Sequence, residues 1–374
     1  MARSNRNDVA RLAGVAPSTV SNVLNGRSQT LRIADATAER VRLAAKELGY
    51  IPQAAARSLR SGGSSTIGLM LAPLPPSPFV PVVHDVVTAA ITGTQRRGRL
   101  VLPFADPGQD AEGTAYVDRV LADADLAGAV CELSDRNVTA GRRLHEMDVP
   151  VVWMSLAETN KRPPGIAHIV VDQTPGWSSI LDSLGVDEGK QIAILVGPVF
   201  RPARLDLVTD RFPGRTRLVE ASSWLPEAGA QATHQIVADH ADIGAIVCAD
   251  DSLAHGAMFA LRDEGIDVPG QISVVGFGGW DEPVSGIGTL ASASWPVREL
   301  TEIAVDTLLD HVDGTLTREP SAQAPVTEVL ASRPLFGPSA RLRAVPGEAS
   351  GLQVSGPPGE GPAPQEPGSS VDAR

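Results

Sequence analysis

The stretch that decides the fold is residues 5–25, NRNDVARLAGVAPSTVSNVLN, which has the pattern of two short helices joined by a tight turn. Asn5 can cap the first helix, and Asp8 stands three positions later in the place of a capping-box acid. Gly14 suits a left-handed turn at the end of that helix. Pro17 suits the first position of the second helix, because proline has no amide hydrogen to lose there.

The second helix of this stretch has an apolar and a polar side. Val20, Val23 and Leu24 fall on one face at helical spacing, as Val9, Leu12 and Ala13 do in the first helix. Five short polar residues lie off the apolar stripe: Ser18, Thr19, Ser21, Asn22 and Asn25. A polar outer face is how a helix-turn-helix presents side chains to the major groove of DNA. An ordinary helical hairpin has the same pattern, so the motif alone leaves both interpretations open.

Charge is distributed unevenly along the chain, whose formal net charge is −12. Residues 1–63 hold ten Lys and Arg against four Asp and Glu, a net charge of +6, so the remaining residues carry −18. A basic head on an acidic body is typical of a protein whose head meets phosphates and whose body does not.

The composition argues against membrane, secreted and zinc-binding proteins. No apolar run is long enough to span a bilayer, and the N-terminus, MARSNRNDV, has no apolar signal segment, so we expect a cytoplasmic protein. Cys131 and Cys248 are the only cysteines, and neither belongs to a C-x-x-C pair or a zinc-type cluster. We expect both to be buried and reduced, and we expect no metal and no cofactor.

Two further segments complete the basic head. Residues 35–48 predict a third helix with Val41, Ala44 and Leu48 on its inner face. Residues 50–63, YIPQAAARSLRSGG, can form a helix of about two turns, which is marginal by itself in water. Since a flexible Gly-Ser joint follows, this segment is either a conformational switch or a linker with residual helicity.

Three segments resemble, in their order and spacing, the beginning of repressors of the lactose/galactose repressor (LacI/GalR) family: DVARLAGVAPSTVSNVLNG, ERVRLAAKELGYIPQAAARSLRSG and STIGLMLAPLPPSPF. The likeness continues more loosely to about residue 338. It implies a sequence-specific DNA-binding transcriptional regulator, a repressor that binds a palindromic double-stranded operator as a homodimer, with further pairing of dimers left open. It also implies control by a small-molecule effector, a carbohydrate or related metabolite.

On this resemblance, the second helix lies in the major groove. Pro17, Ser18 and Asn22 occupy the positions that reach base edges, and asparagine pairs most naturally with adenine. The other members of the DNA-contacting set are interpreted as contacts that fix the register, largely to phosphates: Asn5, Thr19, Ser21 and Asn25. Ala56 and Leu59 match the positions that enter the minor groove and kink the duplex. Ordinary packing of the hinge helix is the alternative role for Leu59.

The body has the alternation of a parallel α/β protein. Short apolar runs predict strands at 67–71, 99–103, 128–131, 149–154, 192–196, 245–248 and 272–275. Helical segments lie between them at 82–97, 116–124, 252–264 and 300–312. These strands are too many for one small sheet, so we expect two α/β lobes with a cleft between them, the periplasmic-binding-protein-like body of the family. The chain is expected to cross between the lobes at 170–173, at 292–296 and near Val326.

The resemblance also implies an effector site in the cleft. Phe79 and Arg204 match cleft residues, and the arginine at that position often binds effector hydroxyls. Trp224, Asp250 and Trp295 fall where the family places other cleft side chains. Gly278 replaces an aspartate of the family's G-F-D-D loop, which makes Asp281 the candidate acid. Arg204 as a surface ion-pair residue and Trp224 as a core residue remain alternatives.

The predicted domains are an all-α helix-turn-helix head at 1–49, a hinge helix and linker at 50–65, and a two-lobed α/β body at 66–338. The first lobe takes 66–170 and 296–325, and the second takes 171–295 and 326–338. The Pro-, Gly- and Ser-rich residues 339–374 predict a disordered tail.

The sequence contains no G-x-S-x-G elbow, P-loop or H-E-x-x-H motif, so we expect no catalytic residues. Two other classes remain as alternatives: a small-molecule (sugar) binding protein and an α/β enzyme. Neither of them explains the head.

Overall fold

The computed structural model describes residues 5–24, 28–48, 50, 64–72, 80–106, 114–198, 201–280 and 289–343. The head consists of α1 (Arg6–Ala13), α2 (Pro17–Leu24) and α3 (Asp35–Glu47). Asn5 caps α1: its side-chain oxygen accepts the amide hydrogens of Asn7 at 2.8 Å and Asp8 at 3.3 Å. The Asp8 carboxylate in turn accepts the Asn5 amide at 2.9 Å, which completes the predicted capping box. Gly14 ends α1 with φ 63°, in the left-handed region.

The head has a small core of its own. Val9, Val20 and Val41 are fully buried at its centre. The expectation that Leu12 faces this core is wrong, because Leu12 is 49% exposed and the neighbouring turn of α1 buries Ala10 instead. Ser21 also differs from expectation: it is only 7% exposed, and its hydroxyl accepts a 3.5 Å bond from Arg6. The polar face of α2 is therefore narrower than the sequence predicts.

The body contains 12 strands and eight helices over the described ranges, in this chain order: β1 (Thr66–Leu71), α4 (Pro81–Arg96), β2 (Leu100–Ala105), α5 (Ala115–Asp123), β3 (Leu126–Glu132), α6 (Asp135–Glu146), β4 (Val151–Ser155), β5 (Ala167–Asp172), α7 (Thr174–Ser183), β6 (Gln191–Val196), α8 (Asp206–Arg211), β7 (Thr216–Glu220), α9 (Pro226–Asp239), β8 (Ile243–Cys248), α10 (Asp251–Asp263), β9 (Ser273–Val275), β10 (Ser292–Ala293), α11 (Val297–Val312), β11 (Val326–Ala331) and β12 (Pro334–Leu335). Every helix in the described ranges is too short or too polar to cross a membrane.

The first lobe is built on a six-stranded sheet with the order β11-β5-β4-β3-β1-β2. All its neighbouring strands are parallel. Helices α4 and α11 cover one face, where Val86 and Leu300 pack against Leu69 and Val152. Helices α5 and α6 cover the other face.

The second lobe is built on a four-stranded parallel sheet with the order β7-β6-β8-β9. Helices α7 and α8 pack on one face and α9 and α10 on the other. Since helices cover both faces of both sheets, the central strands are nearly continuous apolar runs, as in other doubly wound folds. The predicted fold class, a helical head and a two-lobed α/β body with parallel sheets, is confirmed.

One predicted lobe boundary is wrong. Strand β11 pairs in parallel with β5 in the first sheet, so 326–331 belongs to the first lobe and not to the second. The crossing expected near Val326 therefore lies after β11, at 332–333, and β12 then pairs with β10 beside the second lobe. The pattern misled because β11 is an edge strand with exposed Val326 and Val329, unlike a buried parallel strand.

The tail also begins later than predicted. Ser339 and Ala340 are buried, and Leu342 forms a bridge with Leu184 of the second lobe. Residues 339–343 are thus part of the lobe, and residues 344–374 lie outside the described residues.

Candidate DNA-binding face and interlobe cleft

The outer face of α2 carries most of the predicted base-reading set. Ser18 is exposed, and Pro17, Thr19 and Asn22 are partly exposed on the same helix. Their positions follow from Val20 and Val23, whose burial turns the opposite side of α2 outward. Ser21 lies on the buried side, so its predicted phosphate contact depends on its hydroxyl reaching past the edge of the core.

Asn5 is exposed at the start of α1, with its side-chain oxygen used in the cap. The amide hydrogens at a helix N-terminus favour an anion such as phosphate, which suits the expected DNA contact.

Five predicted site residues lie outside the described residues: Asn25, Ala56, Leu59, Phe79 and Asp281.

The cleft lies where the carboxyl ends of the two sheets meet the crossings between the lobes. Ser332 joins two crossings: its amide donates to the Asp172 carbonyl at 2.8 Å, and its hydroxyl donates to the Gln173 carbonyl at 2.7 Å. Arg333 joins the third, since its carbonyl accepts the Ser294 amide at 2.8 Å and its own amide donates to the Ser294 hydroxyl at 2.8 Å. The three crossings therefore form one hydrogen-bonded band between the lobes.

Arg204 is buried at the floor of the cleft. Its guanidinium donates to Gln173 Oε1 at 3.0 Å and to the Ala249 carbonyl, and it lies 3.6 Å from the centre of the Phe277 ring. Its Nε is buried and without a hydrogen-bond partner among the described residues. Burial lowers the pKa of Arg204 to about 9, against the opposing charges of Asp250, Asp251 and Glu158. Arg204 therefore joins the first crossing to the second sheet, and it is not the surface ion-pair residue of the alternative interpretation.

Two acidic residues follow β8 beside this arginine. Asp250 caps α10, where its carboxylate accepts the Leu253 amide at 2.8 Å. Burial raises the pKa of Asp250 to about 7, with the Leu253 hydrogen bond opposing the shift. Asp251 is 2% exposed and accepts the Ser292 hydroxyl at 2.7 Å.

The loop Gly276–Trp280 closes this corner of the cleft. Gly278 and Gly279 have φ values of 145° and 70°, which few other residues adopt without strain. Asp251 holds the loop by accepting the amides of Gly279 at 2.6 Å and Trp280 at 3.1 Å. The Trp280 ring then lies 6.1 Å from the ring of Trp295, centre to centre.

Trp224 lies apart from this aromatic group, at the carboxyl end of β6. Its indole nitrogen donates to the Pro198 carbonyl at 3.1 Å, and its ring packs over Gly197. Trp224 is partly buried against the core of the second lobe, so the structure gives it a packing role in addition to its place at the sheet edge.

The first lobe contributes a carboxylate at the corresponding sheet edge. Glu132, the last residue of β3, accepts the Ala72 amide at 2.9 Å beyond the end of β1. Burial raises its pKa from the ordinary value. Helices α4 and α6 leave this edge on opposite faces of the sheet, which is the usual place for a ligand in an open α/β sheet.

The structure thus brings Arg204, Asp250 and Trp295 together and adds three residues that sequence reasoning missed as site residues: Gln173, Asp251 and Trp280. Their signals were present, since Gln173 is in the predicted crossing and Asp251 and Trp280 flank predicted loops. No group of three or more His, Cys, Asp or Glu within the described ranges is placed to hold a metal ion.

Comparison with known proteins identifies both parts of the chain. Residues 7–53 match the model for bacterial regulatory proteins of the lacI family, and residues 203–331 match the model for a periplasmic binding protein-like domain. The HTH-type transcriptional repressor PurR of Vibrio parahaemolyticus is 28% identical over 315 residues, which is 82% of this chain and 91% of that protein. The HTH-type transcriptional regulator AscG of Escherichia coli is 24% identical over 323 residues, with the same two coverages of 82% and 91%.

The solved structures point the same way. The Lac repressor dimer bound to operator and the anti-inducer ONPF superposes with a TM-score of 0.69 at 25% identity, covering 90% of this chain and 99% of that one. A cellobiose complex of the transcriptional regulator CelR has a TM-score of 0.54 at 22% identity and covers 90% of this chain and 100% of that one. At this identity, the similarity to CelR shows a shared fold and nothing more.

Proposed function

The chain belongs to the lacI family of bacterial regulatory proteins, and we propose that it is a transcriptional repressor. Its affinity for a palindromic operator is controlled by an effector that binds between its lobes. The observation that carries this function is the exposed polar face of α2 on a basic head that is joined to a two-lobed body. A DNA-binding regulator needs both parts, and a solute-binding protein or an enzyme needs only the second.

Within the head, Ser18, Pro17 and Asn22 read base edges from the outer face of α2. Asn22 presents an amide whose NH2 can donate to N7 of adenine while its Oδ1 accepts from the N6 amino group, the bidentate pairing of asparagine with adenine. Thr19, Ser21, Asn25 and Asn5 hold the phosphates on either side, and the positive charge of residues 1–63 supplies the sequence-independent part of the affinity.

Two heads act on one operator, as in the operator-bound dimer of the Lac repressor. A two-fold dimer places identical recognition helices on two half-sites, so the operator is a palindrome. The hinge residues Ala56 and Leu59 enter the minor groove between the half-sites and open a base step there, at a cost of about a few kcal/mol that the added contacts offset.

The cleft takes a small polar effector, of which a carbohydrate or a related metabolite is the class we propose. Arg204 brings a buried guanidinium whose Nε has no hydrogen-bond partner among the described residues. Trp295 beside it, and Trp224 at the neighbouring sheet edge, supply the aromatic rings on which a sugar stacks in this proposal. Asp250 supplies a carboxyl beside them, and Phe79 and Asp281 complete the set.

The effector acts by shifting a population. The three crossings allow the lobes two arrangements, and one of them brings the hinge segments of the two subunits together. A ligand changes the ratio of these arrangements by its difference in affinity for them, so a tenfold difference changes operator occupancy about tenfold in the responsive range.

The domains that follow are a head at 1–49, a hinge at 50–65 and a body whose first lobe contains 66–172 and 297–331 and whose second contains 173–293 and 334–343. The protein acts in the cytoplasm on chromosomal DNA, and it regulates without catalytic turnover.

The test is a selection from a randomised duplex pool at near-physiological salt, run in parallel with the wild-type protein and Asn22→Arg. We expect a palindrome from both, with adenine replaced by guanine at one symmetric position in the variant, because arginine pairs with guanine. Such a contact is worth about 1–3 kcal/mol of discrimination. Recovery of no palindrome by the wild-type protein, or of the same palindrome by both proteins, would contradict the proposed readout.

A further inference from the structure

Trp280 is fixed to the second lobe through its backbone and its ring. Its amide is held by the Asp251 carboxylate, and its ring packs on Trp295 of the second crossing. The ring also fills the space above Gly278: a Cβ added there would lie 2.7 Å from Cε3 of Trp280. The indole of Trp280 therefore occupies the space that a side chain at position 278 would need.

The indole nitrogen of Trp280 reaches the other lobe. Its Nε1–H donates to Asp85 Oδ2 at 3.3 Å. Asp85 lies on α4, the helix that follows the carboxyl end of β1, whereas Trp280 follows the carboxyl end of β9. This hydrogen bond thus spans the cleft between the two sheet edges.

Asp85 is itself held by its own lobe. Its other oxygen, Oδ1, accepts a 2.5 Å bond from Arg298 on α11, and its side chain is only 19% exposed. Because each partner is fixed to its own lobe, a rotation of one lobe against the other would break the Trp280–Asp85 bond while Asp251 still holds the Trp280 amide and Arg298 still holds Asp85.

The other tryptophans do not make such a bond, and the structure describes all five. Trp153 and Trp177 donate to carbonyls of their own lobes at 2.8 and 2.9 Å, as Trp224 does at 3.1 Å. Trp295 donates from the second crossing to the Leu156 carbonyl at 2.8 Å. Only the Trp280 indole ends on a side chain of a helix in the opposite lobe.

We propose that the Trp280–Asp85 hydrogen bond is a latch that holds the two lobes closed on each other. A hydrogen bond to a charged, sheltered carboxylate changes an equilibrium by roughly tenfold or more. Loss of the latch should therefore raise the ratio of open to closed body about tenfold. Lobe closure is a property of the body, so the latch is independent of the DNA sequence that the head binds.

Fluorine NMR of the full chain labelled with 5-fluorotryptophan tests the latch directly. Five resonances are expected, and Trp280→Phe identifies one of them by its loss. In Asp85→Asn, which cannot accept bonds from both Arg298 and Trp280, we expect the Trp280 resonance to move toward that of free 5-fluorotryptophan. The Trp224 resonance serves as the internal control and should not move, because its hydrogen bond stays within the second lobe.

Small-angle scattering then shows whether the bond controls the lobes. Trp280→Phe keeps an aromatic ring over Gly278 and removes only the donor, so we expect a larger radius of gyration than in the wild-type protein. Trp224→Phe is the matched control and should leave the radius unchanged. An unmoved Trp280 resonance in Asp85→Asn would overturn the latch. So would an unchanged radius in Trp280→Phe, whatever the resonances show.

Discussion

The titration of Asp250 gives the protein a pH-dependent stability that a single substitution should remove. Asp250, just beyond the end of β8, is 8% exposed, and burial raises the pKa of its carboxyl from 3.8 to about 7. Asp250→Asn keeps a side-chain oxygen for the Leu253 amide, because asparagine is as good a helix cap as aspartate. The substitution therefore removes the ionisation and keeps the cap.

The direction follows from the protons bound in each state. Between pH 4 and pH 7 the carboxyl is protonated in the folded protein and ionised in the unfolded chain, so the folded state holds more protons. The contribution of the Asp250 carboxyl to the free energy of unfolding is complete below pH 4 and is lost as the pH rises through 7. A difference between pKa values of 3.8 and about 7 corresponds to about 4 kcal/mol, since one pKa unit is worth about 1.4 kcal/mol.

The assay is urea unfolding at several pH values from 4 to 8, followed by circular dichroism. The free energy of unfolding of the wild-type protein, minus that of Asp250→Asn, should fall as the pH rises, by at least about 2 kcal/mol over this range. Ser252→Ala, two positions away, serves as the control and should follow the wild-type curve. Parallel curves for wild type and Asp250→Asn would refute the assignment of a neutral buried carboxyl at Asp250.

Three other substitutions have defined outcomes. Asn5→Ala should lower the stability of the head by about 1 kcal/mol in thermal unfolding through loss of the α1 cap, and Asn5→Ser should restore it. Leu59→Ala should weaken operator binding more than non-specific DNA binding at the same salt concentration, and an equal loss in both would count against the minor-groove role. In Gly256→Ala the new Cβ would lie 2.0 Å from the backbone oxygen of Pro226, so α9 and α10 must separate. We expect the free energy of unfolding to fall by about 2–3 kcal/mol, which lowers the urea midpoint. An unchanged midpoint would contradict this close packing.

The head could be predicted closely from the sequence because its determinants are local. Asn5, Gly14 and Pro17 act on the backbone within a few residues of themselves, and the structure has the capping box and the left-handed turn at the predicted positions. The error at Leu12 concerns which neighbour on a short helix faces the core, which depends on α3 and is not visible in the periodicity of eight residues.

The body was predicted in outline: most strands at the centre of the two sheets were recognised, and so was the edge strand β2, but the end of the buried strand β5 was assigned to a crossing. The strands β5, β7, β10 and β12 and the helices α6, α7, α8 and α9 were not among the predicted elements, and β11 was assigned to the wrong lobe. In β7 and β11 the cause is physical: both are edge strands, with Leu218 and Val329 exposed, so their sequences lack the continuous apolar run of a buried parallel strand.

The cleft shows the limit of reasoning from one sequence. Arg204 was found through the resemblance, but its partner Gln173 is 31 positions away, and Asp85 and Trp280 are 195 positions apart. Contacts of this range are set by how the two lobes meet. The G-F-G-G-W segment showed that an acid is missing at Gly278, and only the structure shows that an indole takes the space above it.

The most direct measurement of the regulator itself compares two duplexes at near-physiological salt: the selected palindrome and the same duplex with one half-site scrambled. Fluorescence anisotropy with the full chain gives both affinities. A dimer with two reading heads should bind the palindrome at least about 100-fold more tightly, because each base mismatch costs about 1–3 kcal/mol and a scrambled half-site contains several. Equal affinities for the two duplexes would contradict a dimeric operator-binding repressor.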